Sequence, residues 1–343
     1  MIQVLVVDDS QVMRDVLSQI INAAPDLNVI GTAANAAEAR TLIKTLRPDV
    51  LTLDVHMPGM DGIDFLTRLM RLNPMPVVMV SSFTQEGSET TLKALELGAV
   101  DFVTKPLLKD PPSWEHYAQT LTDKIRAARA AKIRFAKTDS PKTESPKIQK
   151  SHAAFRPNAI IAVGASTGGP EAIKTFLEKM PENCPPILIV QHMPEHFTGA
   201  FAARLNRLVA PQVLESQGRE PLAFGKVFIA PGNAHLFVPQ GARHTALSNT
   251  APVCNQRPSV EVLFSSLVPH AKNVVAVLLT GMGKDGAAAL LKLRRAGAHT
   301  LGQDQKSALV YGMPREAAEL GAVEFAAAPE ILAQKALEFC TIS

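Results

Sequence analysis

The sequence predicts two α/β domains, each built on a parallel sheet, joined by a basic connector. Short, almost continuously apolar runs alternate with helix-like segments in both halves, among them Val4–Val7, Val50–Leu53, Ile160–Val163 and Val274–Leu279. Strands of that kind are buried on both faces, with the intervening helices covering the sheet. Between the two halves, residues 136–157 turn to Lys, Ser, Thr and Pro with few large apolar groups. At 343 residues the chain is long enough for two separate cores.

The N-terminal elements follow in order. Gln3 to Val7 is the first strand, ending on Asp8 and Asp9, and Ser10 has the side-chain oxygen to cap a helix reaching about Ala23. Val29–Ala33 is the second strand, and Ala36–Leu46 is a helix stopped by Pro48. Val50–Leu53 is the third strand and ends on Asp54; Pro76–Val80 and Asp101–Val103 are the fourth and fifth. Ser81 and Ser82 close the fourth strand, and Lys105 follows the fifth, before Pro106.

Ligands of open parallel sheets collect at the carboxyl ends of the strands, which gathers Asp8, Asp9, Asp54, Ser81 and Lys105 on one edge. Three carboxylates packed together repel one another, and a hard divalent cation relieves this; an oxygen-only donor set suits Mg²⁺. Asp54 is then a candidate to attack a phosphoryl donor, with Lys105 and Ser81 holding the oxygens of the transferred group. Taken singly, each acid reads equally well as a helix cap or a solvated loop residue.

The connector carries most of the basic balance. Residues 1–123 hold 9 basic and 16 acidic side chains, residues 124–156 hold 10 and 2, and residues 157–343 hold 16 and 14. Tyr117 to about Phe135 reads as an alanine-rich basic helix, after which a flexible linker is expected. The basic stretch reads as a solubilising linker, with a charged contact surface as the alternative. It lacks interleaved aromatics and a recognisable nucleic-acid-binding unit. The three cysteines, Cys184, Cys254 and Cys340, form neither a disulfide framework nor a metal-ligand pattern. No signal peptide and no membrane-spanning run is evident, so a cytoplasmic protein without membrane insertion is expected.

In the C-terminal half, Ile160–Ala165, Ile187–Gln191, Val227–Ala230 and Val274–Thr280 have strand length. Glu171–Met180, Gly199–Leu208, Ser259–Leu267 and Gly286–Ala296 read as helices, with a small hairpin inserted around Leu236–Val238. Three strand ends carry chemistry. Gly164-Ala165-Ser166-Thr167-Gly168 places a serine on a strand-to-helix turn, as nucleophile elbows do, although small residues at such turns are also common for steric reasons. His192 follows the second strand and is a candidate base, and Asp285 follows the fourth and is a candidate partner for it. The glycines around Met282 leave backbone N–H groups available for an oxyanion. Ser166 and Asp285 also read as helix caps, and His192 as a structural histidine. Gly281-Met282-Gly283-Lys284 runs into Asp285 and so is no Walker A loop.

Val7-Asp8-Asp9-Ser10, Asp54-Val55-His56-Met57-Pro58-Gly59-Met60-Asp61-Gly62 and Lys105-Pro106 resemble a response-regulator receiver domain. Gly164–Pro170, Gln191-His192-Met193-Pro194, Ala230-Pro231-Gly232-Asn233 with His235, Leu279–Gly286 and Gln303-Asp304 with Tyr311–Pro314 resemble the catalytic domain of chemotaxis protein-glutamate methylesterases. That family joins these two domains by a linker. Gly302 stands where many relatives carry alanine.

The resemblance implies a flavodoxin-like receiver with five parallel strands (1–123), a basic flexible linker (124–156) and a doubly wound, Rossmann-like methylesterase domain (157–343). It implies Mg²⁺ at Asp8, Asp9 and Asp54, phosphorylation of Asp54 by a chemotaxis histidine kinase, and switch residues Ser81, Phe102 and Lys105. In the second domain it implies Ser166 as nucleophile, His192 as base, Asp285 as orienting acid, and Thr167 and the Met282 backbone beside the oxyanion. Ester hydrolysis would use no cofactor. The implied substrates are glutamate γ-methyl esters, and some glutamines, on chemoreceptors; a monomer without nucleic-acid partners is expected. A receiver driving a DNA-binding output and an esterase acting on a metabolite are the alternatives.

Overall fold

A computed structural model describes residues 1–57, 60–81, 85–105, 114–132 and 154–342. The chain divides into two units, Met1–Asp139 and Ser140–Ser343.

The first unit alternates strand and helix throughout: β1 (Ile2–Val7), α1 (Gln11–Ala23), β2 (Leu27–Ala33), α2 (Ala36–Leu46), β3 (Val50–Asp54), α3 (Gly62–Leu72), β4 (Val77–Ser81), α4 (Gln85–Glu96), β5 (Asp101–Thr104) and α5 (Trp114–Ala130). Its strands pair in the order β2-β1-β3-β4-β5, all parallel. The three central strands are covered on both faces, which is why Val4–Val7, Leu51, Leu53 and Val77–Val80 are fully buried and the sequence shows no alternation there. Ser10 caps α1, accepting from Met13 N, and Asn35 caps α2 through Ala37 N and Glu38 N. Sequence patterning located neither α3 nor α4.

The expected boundary at 123/124 falls inside α5, and this is a correction. Ile125, Ala127 and Ala128 are buried, and the basic side chains of this stretch are paired within the first unit: Lys124 with Asp101 (2.7 Å), Arg126 with Asp26 (2.7 Å) and Asp123 (2.9 Å), and Arg129 with Asp49 (3.1 Å). Charge alone marked residues 124–130 as connector, whereas these charges complement an acidic domain. Most of the expected linker, 133–153, lies outside the described residues.

The second unit comprises β6 (Ile160–Ala165), α6 (Gly169–Leu177), β7 (Ile187–Gln191), α7 (Glu195–Leu208), β8 (Gln212–Glu215), β9 (Lys226–Ile229), β10 (His235–Phe237), β11 (Ala246–Ser248), α8 (Val260–Ser266), β12 (Val274–Leu278), α9 (Ala287–Arg295), β13 (His299–Gln303), α10 (Met313–Glu319), β14 (Phe325–Ala327) and α11 (Pro329–Cys340). Seven parallel strands pair in the order β14-β13-β12-β6-β7-β9-β8, and β10 and β11 form the expected separate hairpin. Strand order reverses on either side of β6, the place where open sheets leave a crevice. One core face packs Leu188, Val190, Phe228 and Ala276 against Leu263, Phe264 and Leu290. Sequence patterning missed β8, β13 and β14, which lie toward the sheet edges and are short or carry polar residues. Arg156 ties the start of this unit to its end: its guanidinium donates to the carbonyls of Phe339 (2.6 Å) and Lys272 (3.0 Å), and its N–H to Cys340 O (2.8 Å).

Gly62, at the start of α3, tests the first unit's packing. A Cβ there would overlap the carbonyl oxygen of Asp54 and lie 2.9 Å from that of Val55, and backbone cannot swing aside as a side chain does. Gly62→Ala is expected to destabilise the first unit by about 1–3 kcal/mol. Trp114 is the chain's one tryptophan and sits on α5, so urea unfolding followed by its fluorescence reads this unit selectively.

Candidate active site

Adjacent strand ends bring the candidate residues of the second unit together. β6 and β7 run parallel with Ala165 opposite Gln191, so Ser166 and His192 are the next residues on neighbouring strands. His192 N donates to Ala165 O (3.1 Å), and Ser166 N donates to Thr280 O (3.0 Å), which fixes the serine against the segment leaving β12. The turn from β6 into α6 uses Gly168 at φ +75°, a conformation that disfavours any side chain, and Gly169 N closes it on Ser166 O (2.7 Å).

The surrounding segment is held closely. Gly281 packs so tightly that a Cβ there would sit 2.7 Å from Ser166 Cβ. Gly312 N and Met313 N both donate to Gly281 O, and Gly281 N donates to Val310 O. Thr280 Oγ1 donates to Thr167 O (3.0 Å) and accepts from Val310 N (2.9 Å), and Gln303 Oε1 accepts from Thr280 N (2.8 Å). The Gln303-Asp304 and Tyr311–Pro314 motifs thus build the wall behind the serine. Met282 N makes no hydrogen bond among the described residues, while both backbone groups of Gly281 before it are engaged.

His192 Nε2 lies 2.8 Å from Asp285 Oδ2. Asp285 is 3% exposed, and its carboxylate accepts three further bonds: from Val260 N to Oδ2 (2.7 Å), and from Ser259 Oγ (2.8 Å) and Glu261 N (3.0 Å) to Oδ1. It therefore caps α8 from some 25 residues away, while Ser259, at the N-cap position, turns its hydroxyl onto the carboxylate. Burial alone would raise the Asp285 pKa; the His192 bond and charge, Ser259 and Glu261 outweigh it and hold the carboxyl below its ordinary value. An ionised carboxylate only accepts, so His192 carries its proton on Nε2 and leaves the Nδ1 lone pair open. Among the described residues Ser166 Oγ and His192 are not hydrogen-bonded; such contacts often tighten only when substrate binds.

Gln191 precedes His192 in the Gln191–Pro194 motif, and nothing in the sequence assigns it a role. It is 3% exposed, and its Nε2 donates to both Ser166 O (3.0 Å) and His192 O (3.1 Å), bridging the two strand ends. A Cβ on Gly169 would overlap its Oε1. Ser259 was likewise read only as the start of a helix. Its distant partner leaves no local signal.

The first unit gathers its acids as expected. Ligand oxygens of Asp8, Asp9 and Asp54 all lie within 4.8 Å of one another. Lys105 Nζ is 2.9 Å from Oδ2 of both Asp8 and Asp54, two buried oxygens for which the described residues offer no well-aligned hydrogen-bond donor. Burial, helped by the charge of Asp8, pushes the Asp54 pKa up to about 6 against the pull of Lys105. Burial works against the Lys105 charge as well, but Asp54 and Asp8 more than offset it and raise its pKa. Arg14 donates to the carbonyls of Asp8 (2.7 Å) and Asp9 (2.9 Å) and so aims their side chains. Two buried carboxylates short of donors are the chemistry a hard cation satisfies, so the residues fit Mg²⁺. Ser81 is fully buried with Oγ donating to Gly87 O (3.3 Å), and Phe102 is 2% exposed with Lys124 Nζ 5.1 Å from its ring centre. Ser82 and Pro106 lie outside the described residues.

A parallel-sheet unit with a phosphoacceptor-like acid cluster, followed by an α/β unit with a serine, histidine and aspartate at its switch point, defines a receiver coupled to a hydrolase. Residues 4–111 match the response regulator receiver domain family and residues 161–336 match the CheB methylesterase family. The chain is 54% identical over 340 residues to a protein-glutamate methylesterase/protein-glutamine glutaminase of Dechloromonas aromatica, covering 98% of this chain and 97% of that protein. A Nitrosomonas europaea protein of the same name is 52% identical over 329 residues, covering 94% and 92%. The crystal structure of the Thermotoga maritima CheB methylesterase catalytic domain matches with a TM-score of 0.51 at 33% identity, covering 52% of this chain and 97% of that one. The chain belongs to the receiver-linked CheB methylesterase family.

Asp285 yields a pH prediction. Its depressed pKa means that the folded state favours the ionised form. That contribution is present above the ordinary value of 3.8 and is lost as pH falls below it. Asp285→Asn should be less stable than wild type at neutral pH, with the gap narrowing as pH falls below the ordinary carboxylate value of 3.8. Urea unfolding followed by circular dichroism above and below that pH checks this; a gap independent of pH would contradict it.

Proposed function

We propose that the protein hydrolyses glutamate γ-methyl esters on methyl-accepting chemoreceptors, and deamidates glutamines there, under control of phosphorylation at Asp54. The observation that carries the reading is the 2.8 Å His192–Asp285 bond beside the Ser166 turn. Ser166 Oγ attacks the ester carbonyl carbon as His192 Nδ1 takes its proton. The Met282 N–H, with no acceptor among the described residues, meets the developing oxyanion beside Thr167. Collapse breaks the C–O bond, and His192 returns the proton to the departing methoxide, giving methanol. Water activated by His192 then cleaves the acyl-enzyme and leaves glutamate. For glutamine the leaving group is ammonia.

In the receiver, Asp8, Asp9 and Asp54 would hold Mg²⁺, which when bound offsets negative charge on the phosphoryl oxygens. Asp54 attacks the phosphorus of a phosphohistidine donor on a chemotaxis histidine kinase. Lys105 and Ser81 follow the new charge, and Phe102 moves with them. No helix among the described residues is long and apolar enough to cross a membrane. The substrate sites lie on the receptors' cytoplasmic side, and the protein acts there.

Methanol release from membranes bearing methylated receptors tests the reading. Ser166→Ala should lower turnover by more than about 10³-fold while leaving the unfolding transition in place. Intact-mass measurement with Mg²⁺ and a small phosphodonor should add one phosphoryl group to wild type and none to Asp54→Asn, and only wild type should gain activity. Near wild-type turnover by Ser166→Ala would overturn the assignment.

A further inference from the structure

The cradle of Asp285 has its own support, and that support is a buried histidine. His235 opens β10 and is fully buried. Its Nε2 lies 3.1 Å from Ala251 O, and its Nδ1 lies 3.2 Å from Ser259 N. A carbonyl can only accept and a backbone N–H can only donate. One ring nitrogen must therefore carry the proton and the other must not, a condition met only by the neutral ring protonated at Nε2.

The two contacts grip both ends of one excursion of the chain. Residues 249–258 leave β11 and return at Ser259, folding back on themselves through paired bonds between Val253 and Gln256. Arg257 donates to the carbonyls of Asn249 (3.3 Å) and Thr250 (3.2 Å) from the exposed side. His235 does the same work from inside, holding Ala251 on the way out and Ser259 on the way back. Ser259 Oγ and the next two backbone N–H groups then supply three of the four bonds to Asp285.

We propose that His235 is a positioning residue for the hydrolytic reaction: by clamping Ser259 through Nδ1 it sets the donors that aim Asp285, and through Asp285 the Nε2–H tautomer of His192. The inference rests on the assignment of His192 and Asp285 above. It differs from a packing role in what it requires, which is an acceptor at the Nδ1 position. Asparagine places its Oδ1 near that position. Glutamine reaches toward Nε2 and leaves Ser259 N–H without an acceptor.

The experiment compares full-length wild type, His235→Asn, His235→Gln and Ser166→Ala for methanol release from methylated receptor membranes, with unfolding curves for each. His235→Asn is expected to keep kcat within about threefold, and His235→Gln to lose about tenfold in kcat at unchanged KM, the size of one lost buried hydrogen bond. Kinetics are scored per folded molecule, so a fall in stability alone cannot imitate the result. Equal losses in the two variants, an effect confined to KM, or full activity of His235→Gln would overturn the proposal. Undiminished activity of Ser166→Ala would instead remove the reading on which it rests, so the two failures are distinguishable.

Discussion

A carboxylate withdrawn from water must be met by donors, and much of the second unit's architecture is the answer to that demand at Asp285. Four donors converge on it: a backbone pair at the start of α8, the Ser259 hydroxyl and His192 Nε2. Leaving such a charge unpaired inside the protein costs several kcal/mol, so the segments bearing these donors are obliged to stay together. β12, α8 and the end of β7 are thereby locked around one side chain. The orientation of His192 follows from this lock: Nε2 is committed to Asp285, and Nδ1 is the ring nitrogen left uncommitted.

The first unit buries carboxylates at an equivalent place, the carboxyl ends of its strands, and resolves them in the opposite way. Asp54 is as buried as Asp285, yet its chief neighbours are another acid and one shared lysine. Its pKa rises to about 6, whereas that of Asp285 falls. The contrast is between a charge whose partners are built in and a charge whose partners are incomplete. The first kind gives a fixed orientation suited to holding a base. The second leaves an acidic cluster of the kind a hard cation satisfies, with Lys105 balanced between Asp8 and Asp54.

How much of this was legible in the sequence depended on the range of each interaction. Ser10 caps a helix a few residues away, and that start was placed from local chemistry, as was the end of Ala36–Leu46 from Pro48. The central strands of each sheet declared themselves because burial on both faces demands unbroken apolar runs. The strands β8 and β14 did not, since at a sheet edge one face is free to be polar, nor did β13, whose buried stretch includes the polar Thr300 and Gln303 and so breaks the apolar run. The residues of the candidate site were legible one by one as strand-end serine, histidine and aspartate. Their supports were not: Gln191 reaches two carbonyls across a strand pair, and Ser259 turns to an acid 26 residues on. Nothing local distinguishes such a glutamine from any polar strand end. The charge of residues 124–130 misled for the same reason, because their acidic partners at Asp26, Asp49 and Asp101 are distant in sequence.

Close approach adds the remaining constraint on the serine. A side chain at Gly281 would strike Ser166, one at Gly168 would lie 2.8 Å from Leu309, and one at Gly169 would overlap Gln191. These glycines allow the backbone of three strand ends to meet at distances that side chains forbid. Ser166 is consequently fixed on every side except that of its hydroxyl: its N–H is bound to Thr280, its carbonyl to Gly169 and Gln191. Freedom is confined to rotation about its own Cα–Cβ bond. A hydroxyl with one free torsion and an imidazole with one uncommitted nitrogen can meet with little further loss of conformational entropy, and keeping that loss small is what a rigid sheet edge contributes.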